Sequence, residues 1–159
     1  MSANKLVVTA EEGKQEVVCT RIFDAPRDLV FKVYTDPEQM QNWWGPRDLK
    51  TIVERMEIKP GGVWRVRHID ADGNEFAFKG VYHDVKSPER LVYTFEFEGM
   101  AGHVLLETVT FEDLGDGRTK LIDSAVFQSV EDRDGMVQSG MERGAAESMD
   151  RLEELLAKS

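Results

Sequence analysis

This chain holds one cysteine in 159 residues, and no apolar run in it approaches the ~18 residues that cross a membrane. A lone Cys19 excludes an internal disulfide, and nothing indicates an oxidising compartment. Flanked by Val18 and Thr20 in a strand pattern, it reads as a small core residue. Positive charge is also scarce. Lys and Arg number 20 against 30 Asp and Glu, for a formal net charge of -10. Such a surface repels phosphates, so neither nucleic acid nor an anionic membrane is expected as a partner. Residues 1–16 lack the basic start and apolar stretch of a secretory signal, and the expectation is a cytoplasmic protein. The common catalytic signatures are missing too: there is no Gly-x-Ser-x-Gly, His-Glu-x-x-His, phosphate loop or Gly-x-Gly-x-x-Gly. No cofactor is expected. His68, His83 and His103 stand far apart, and no metal site is expected from them.

What is present is pattern. Residues 1–16 read as an N-terminal extension, with Lys5 to Thr9 suited to a short edge strand. Residues 17–159 read as one domain, long enough for a sizeable core. Val17 to Phe23 is apolar and β-branched, hence a strand. Asp24-Ala25-Pro26 reads as a helix start, with Asp24 as a side-chain cap and Pro26 in the first turn. Leu29, Val30, Val33 and Tyr34 continue at helical spacing. Asp36-Pro37-Glu38 repeats the start signal for a second short helix, which Gly45-Pro46 ends after the paired Trp43-Trp44. Adjacent residues do not share a helix face, so one tryptophan is assigned to the core and the other to the mouth of any cavity.

Six strand patterns follow: 49–58, 63–69, 76–84, 91–97, 103–112 and 118–127. Short turns join them, which predicts an antiparallel meander with one covered face. Ile52, Met56 and Ile58 are placed on one side of the first. Trp64, Val66 and His68 share a side of the second, Phe76, Phe78, Gly80 and Tyr82 of the third, and Leu91, Tyr93, Phe95 and Phe97 of the fourth. Gly80 in mid-strand marks a bend or a close approach to the backbone. His68, Tyr82, Tyr93, Glu107 and Asp123 are the polar groups expected on the covered side.

From Ser129-x-x-Asp132, a near-capping box, one long helix is predicted to Leu156. Its inner stripe contains Met136, Gly140, Met141, Gly144, Ser148, Met149 and Leu152, with Arg133 on the outer side. Glycine inside a helix costs about 1 kcal/mol relative to alanine. Gly140, Gly144 and Ser148, spaced by four, share one face. Either the helix backbone packs close over large sheet residues, or the missing side chains leave a cavity.

The motifs FDAPRDLVFKVYTDPEQMQNWWGP (Phe23 to Pro46), PGGVWR (Pro60 to Arg65), FKGVY (Phe78 to Tyr82), PERLVYTF (Pro88 to Phe95) and Gly-x-x-x-Ser-x-x-x-Leu (Gly144 to Leu152) carry a resemblance. Together they resemble the START-like (SRPBCC) superfamily, and within it the heat-shock protein 90 ATPase activator homologue (AHSA-like) family, over about Val17 to Leu156. The resemblance implies an α+β helix-grip fold (START-like, Bet v-like). In it a curved antiparallel sheet wraps a long C-terminal helix, with two short helices after the first core strand. It also implies a cavity for a hydrophobic partner such as a lipid or polyketide. The expected ligand-binding residues are Trp44, Trp64, Phe78, Tyr82, Tyr93, Phe95, Met136, Gly140, Met141, Gly144 and Ser148. Glu107 and His68 are candidate acid–base groups, with pairing to an arginine or a place at the rim as the alternative for Glu107. Three functions stay open: binding of a hydrophobic or aromatic small molecule, a cofactor-free cyclase or hydrolase, and a co-chaperone-type interaction module. A homodimer also stays open.

Overall fold

Period-two alternation becomes an eight-stranded antiparallel sheet. Its strands are β1 (Val7–Thr9), β2 (Glu16–Phe23), β3 (Lys50–Met56), β4 (Val63–Ile69), β5 (Glu75–Lys86), β6 (Arg90–Phe97), β7 (Val104–Asp113) and β8 (Thr119–Val126). The computed structural model describes residues 4–159, and residues 1–3 of the N-terminal extension lie outside them. The order across the sheet is β1-β2-β8-β7-β6-β5-β4-β3. Strand β2 thus pairs with the last strand, and the meander β3 to β8 runs outward from it. The curved sheet and the C-terminal helix against it make the α+β helix-grip fold.

Helices α1 (Arg27–Tyr34) and α2 (Pro37–Trp43) fill the crossover between β2 and β3. The Asp36 carboxylate caps α2 by accepting from the Glu38 N–H at 3.0 Å, as a first-turn acceptor should. The start of α1 differs from expectation. Pro26 itself is the N-cap, in extended geometry, and no side chain caps the helix. Proline at that boundary already removes one orphan donor, so Asp24 is not needed.

Three sequence expectations are corrected. The first concerns β3. Its register with β4 shifts between Val53 and Arg55, a bulge that reverses the alternation. Val53 and Met56 therefore pack inward beside Trp64, and Ile52 lies opposite Arg67 on the outer face. Second, the long C-terminal helix is two helices, α3 (Val130–Gln138) and α4 (Met141–Ala157). The break is at Gly140, whose φ of +87° is left-handed backbone that glycine adopts without steric cost. Third, Arg133 of α3 is buried rather than outward. It pairs with Asp134 and donates to the Glu16 carbonyl at 3.2 Å, so its charge is met where it is buried.

The core is filled most densely where α1, α2 and the C-terminal half of α4 meet the sheet. Phe23, Val30, Phe31, Trp43, Leu91, Val109, Phe111, Leu121, Met149, Leu152 and Leu156 form that cluster. The Phe31 and Tyr34 rings meet Phe111 edge-on at 5.1 and 5.3 Å, a favoured aromatic geometry. Two smaller clusters lie around Trp64, Val66 and Tyr82 and around Val17, Leu105 and Phe127. Space remains between the clusters.

Candidate functional site

That space is a cavity of about 410 Å³, within the usual range for small-molecule sites. Inner residues of the strands make its floor: Trp64, Phe78, Tyr82, Tyr93, Phe95, Leu105, Glu107 and Asp123. Met141, Gly144, Ala145, Ser148 and Met149 of α4, with Met136 of α3, make its roof. Tyr34, Trp43 and Trp44 close one side. A Cβ built on Gly144 would meet nothing within 4 Å. The glycine in the roof thus faces open space and does not seat the helix against the sheet.

Gly140 is the one expected lining residue that does not line the cavity. Its glycine serves the α3–α4 break, a need indistinguishable by spacing from that of Gly144. The other ten all contribute to the wall. Residues not expected there include Tyr34, Met40, Trp43 and Cys19. Tyr34, Met40 and Trp43 come from α1 and α2, whose angle to the sheet no local pattern reports. Cys19 was legible, because it alternates with Val17 and Arg21 on the inner face of β2.

The aromatic wall is cross-braced. Trp44 meets His68 at 4.7 Å and Phe78 at 5.4 Å between ring centroids, and Phe78 meets Phe95 at 5.4 Å. The Trp64 indole N–H donates to the Thr94 carbonyl at 3.1 Å, passing directly over Gly80. A Cβ on Gly80 would lie 1.8 Å from the Thr94 carbonyl oxygen. This is the close backbone approach that a mid-strand glycine predicts.

Two polar regions interrupt the apolar wall. The first lies at the α2–β3 loop. The Gly45 N–H donates to Ser148 Oγ at 2.8 Å, and Arg151 Nη1 donates to the Gly45 carbonyl at 2.8 Å. These bonds tie α4 to the loop and orient Ser148. Gly45 has φ +94°, and a Cβ there would sit 2.5 Å from His68 Nε2. Burial, and secondarily the Arg151 charge, pulls the His68 pKa down to about 4. The imidazole is therefore neutral at physiological pH, and its Nε2 has no hydrogen-bond partner among the described residues.

The second region is an acid pair. Glu107 on β7 lies opposite Tyr93 of β6 and Ala125 of β8, and Asp123 lies opposite Cys19 of β2. This register sets the two carboxyls diagonally on the inner face, within hydrogen-bond reach of each other. Burial raises both carboxyl pKa values, and the neighbouring Asp123 charge raises Glu107 further. One proton held between them relieves the repulsion, and the Tyr93 side chain lies opposite Glu107 across β6 and β7. Glu107 has neither the arginine partner nor the rim position considered from sequence. Burial, and then the charges of Asp123 and Glu107, push the Cys19 thiol up to about 12. It is a neutral wall group and not a nucleophile, since the thiolate is the reactive form. Tyr34 and Tyr93 are raised chiefly by burial, so their hydroxyls, 3.5 Å apart, also stay protonated.

His103 is exposed and pairs with Asp132 at 3.0 Å, far from His68 in the wall. Among the described residues no group of three or more His, Cys, Asp or Glu side chains is placed to hold a metal. No helix among them is long and apolar enough to cross a membrane.

The fold recurs widely. A protein from Arthrobacter aurescens is 25% identical, with a TM-score of 0.87 over 96% of this chain and 92% of its own. A protein from Rhodobacter sphaeroides reaches a TM-score of 0.90 at 20% identity, covering 98% of this chain and 99% of its own. An AHSA1 protein from Silicibacter pomeroyi has a TM-score of 0.74 at 20% identity, covering 89% of this chain and 97% of its own. No curated protein matches the sequence. The family model for activator of Hsp90 ATPase homolog 1-like proteins matches residues 24–157, which include α1, α2, all strands from β3 onward and both C-terminal helices. The chain belongs to that family, a branch of the START-like (SRPBCC) superfamily.

Proposed function

We propose that this chain binds an apolar or aromatic small molecule in the cavity beneath α4. The observation that carries the reading is the open space below Gly144 in the roof of a 410 Å³ cavity. Protein interiors are close-packed, and a lined void of this size forfeits dispersion contacts that a ligand restores. The wall is apolar save for the acid pair, the neutral His68, Ser148 and the hydroxyls of Tyr34, Tyr82 and Tyr93, which suits an apolar ligand carrying a few polar groups. Mass spectrometry of material released by denaturing the purified protein tests the reading. A single apolar species at near-stoichiometric amount supports it. An apo protein that also fails to bind any apolar fluorophore contradicts it.

The acid pair favours a second reading, acid–base catalysis without a cofactor, as in a cyclase or hydrolase. A protonated Glu107 beside a carboxylate has the two states such chemistry uses. Incubation of the released ligand with fresh protein, followed by mass analysis, distinguishes the two: binding returns the ligand unchanged. The co-chaperone-type reading draws no comparable support. The large exposed apolar side chains, Val7, Phe76, Met100, Leu106, Val126 and Val137, come from six different segments. Of these six, Leu106 and Val126 are the one pair joined across strands among the described residues, and a broad apolar patch is what such a module would need.

A further inference from the structure

The cavity wall is lopsided in charge. Glu107 and Asp123 line it, and among the described residues no lysine or arginine does. His68, the one basic side chain among the described residues of the wall, is held neutral by its burial. Arg21, two residues beyond Cys19 on β2, is turned to α4, where Asp150 and Glu153 hold it at 2.7 Å each. From α4 itself, Glu142 adds another negative charge near Cys19. The remaining groups facing the pair are Cys19 from β2, Tyr34 from α1 and Tyr93 from β6. All three are neutral at physiological pH, so among the described residues the pair is the only group there that changes charge.

Both side chains line the cavity and are half-buried, and Asp123 Oδ1 is enclosed with no donor among the described residues beyond a proton carried by Glu107. Sharing one proton leaves a net negative charge in an apolar enclosure with no counter-charge. Buried charges are normally paired, because an unpaired one is costly. The Tyr93 ring lies across from Glu107, and Tyr34 is close enough to feel both carboxyl charges, while Trp64 stands farther along the wall, 6.1 Å from Tyr93. Ring faces attract cations and offer nothing to an anion.

We propose that the cavity selects an apolar amine, its ammonium group seated on the Glu107–Asp123 pair and its body among Trp64, Tyr82 and Phe95. This rests on the reading that the cavity binds an apolar small molecule, and it names the head group of that molecule. The ammonium donates to the pair where it faces the cavity and supplies the missing positive charge. A carboxylate head would meet like charge, and an alcohol would gain one neutral hydrogen bond.

Three probes of nearly equal size test it: naphthylethylamine, naphthylethanol and naphthylacetic acid, each titrated against the wild-type protein by quenching of its tryptophans. The amine is expected to bind roughly tenfold or more tighter than the alcohol, as charge-assisted hydrogen bonds imply, with the acid weakest. Lowering the pH from about 8 to about 5 protonates the pair and should narrow the amine's advantage. The Glu107→Gln, Asp123→Asn double variant replaces both carboxyls by near-isosteric amides. Once melting shows it folded, its amine-to-alcohol preference should fall to about one. Equal binding of amine and alcohol by the wild type, or best binding of the acid, overturns the amine proposal and leaves the container reading standing. Failure of all three probes to bind overturns both. The wild-type comparison decides the matter even if the double variant does not fold.

Discussion

The two halves of α4 face the same sheet and do opposite things. Its C-terminal half carries Met149, Leu152 and Leu156, which sink into the densest part of the core beside Phe23, Val109 and Phe111. Its N-terminal half carries Gly144, Ala145 and Ser148, and Gly144 looks into empty space. One half stabilises the fold, and the other leaves room. A helix anchored at one end can roof a cavity at the other without collapsing onto the sheet. The ties from Ser148 and Arg151 to the Gly45 loop hold the roof at its height.

Substitutions in the anchored half should have the largest effect on stability. Leu152 is fully buried, so Leu152→Ala should cost about 2–5 kcal/mol, as core truncations do, read as a lowered thermal or urea midpoint. The contrast sharpens with glycine. Gly80→Ala places a methyl against the Thr94 carbonyl and the Trp64 indole, and should cost about 1–3 kcal/mol by overpacking.

The pH dependence separates the two polar regions of the cavity. The folded pKa of His68 lies near 4, below its unfolded value of 6.5. Between those values the unfolded chain binds more protons than the folded one, so the His68 contribution to stability is lost as pH falls through that window. The acid pair works in the opposite sense. Its carboxyls hold protons in the folded state that the unfolded chain has released, so their contribution weakens as pH rises above the ordinary carboxylate range. His68→Gln should therefore reduce the loss of stability between about pH 6.5 and 4 by roughly 2–3 kcal/mol. The double amide variant should instead flatten the slope on the neutral side. Melting curves across pH check both. The smallest effect belongs to the outer face of α4. Arg143→Ala removes an exposed ion pair to Glu147 and should change stability by no more than about 0.5 kcal/mol.

Much of this contrast is legible in the sequence, residue by residue. Alternation alone places Trp64, Phe78, Tyr82, Tyr93, Phe95, Glu107 and Asp123 on one face, because strand side chains follow a period of two. It fails at Ile52, where a bulge in β3 adds one residue and inverts the count. The small residues of the final segment stand out, but not their separate roles. Gly140 is small where the backbone turns left-handed, and Gly144 is small where the helix faces the open space of the cavity. Spacing by four cannot separate a conformational need from a packing one. The pairing of Glu107 with Asp123 depends on register between β7 and β8, and the helix-borne wall residues Tyr34 and Trp43 depend on how α1 and α2 tilt. Both are tertiary facts with no local signature. Arg133 shows the same limit: its charge marks it for the surface, and only the fold reveals the partners that let it be buried.

The most direct test of the open roof is Gly144→Leu, followed by thermal melting and by titration with an apolar fluorophore that quenches the tryptophans. Trp43, Trp44 and Trp64 all line the cavity and report its occupancy. The leucine side chain should enter free space, and helix propensity should improve by about 0.5–1 kcal/mol. The predicted result is an unchanged or slightly raised melting temperature together with loss of fluorophore binding. A strongly lowered melting temperature would mean that Gly144 seats α4 against the sheet, and unchanged binding would mean that the space beneath it is not where the ligand goes.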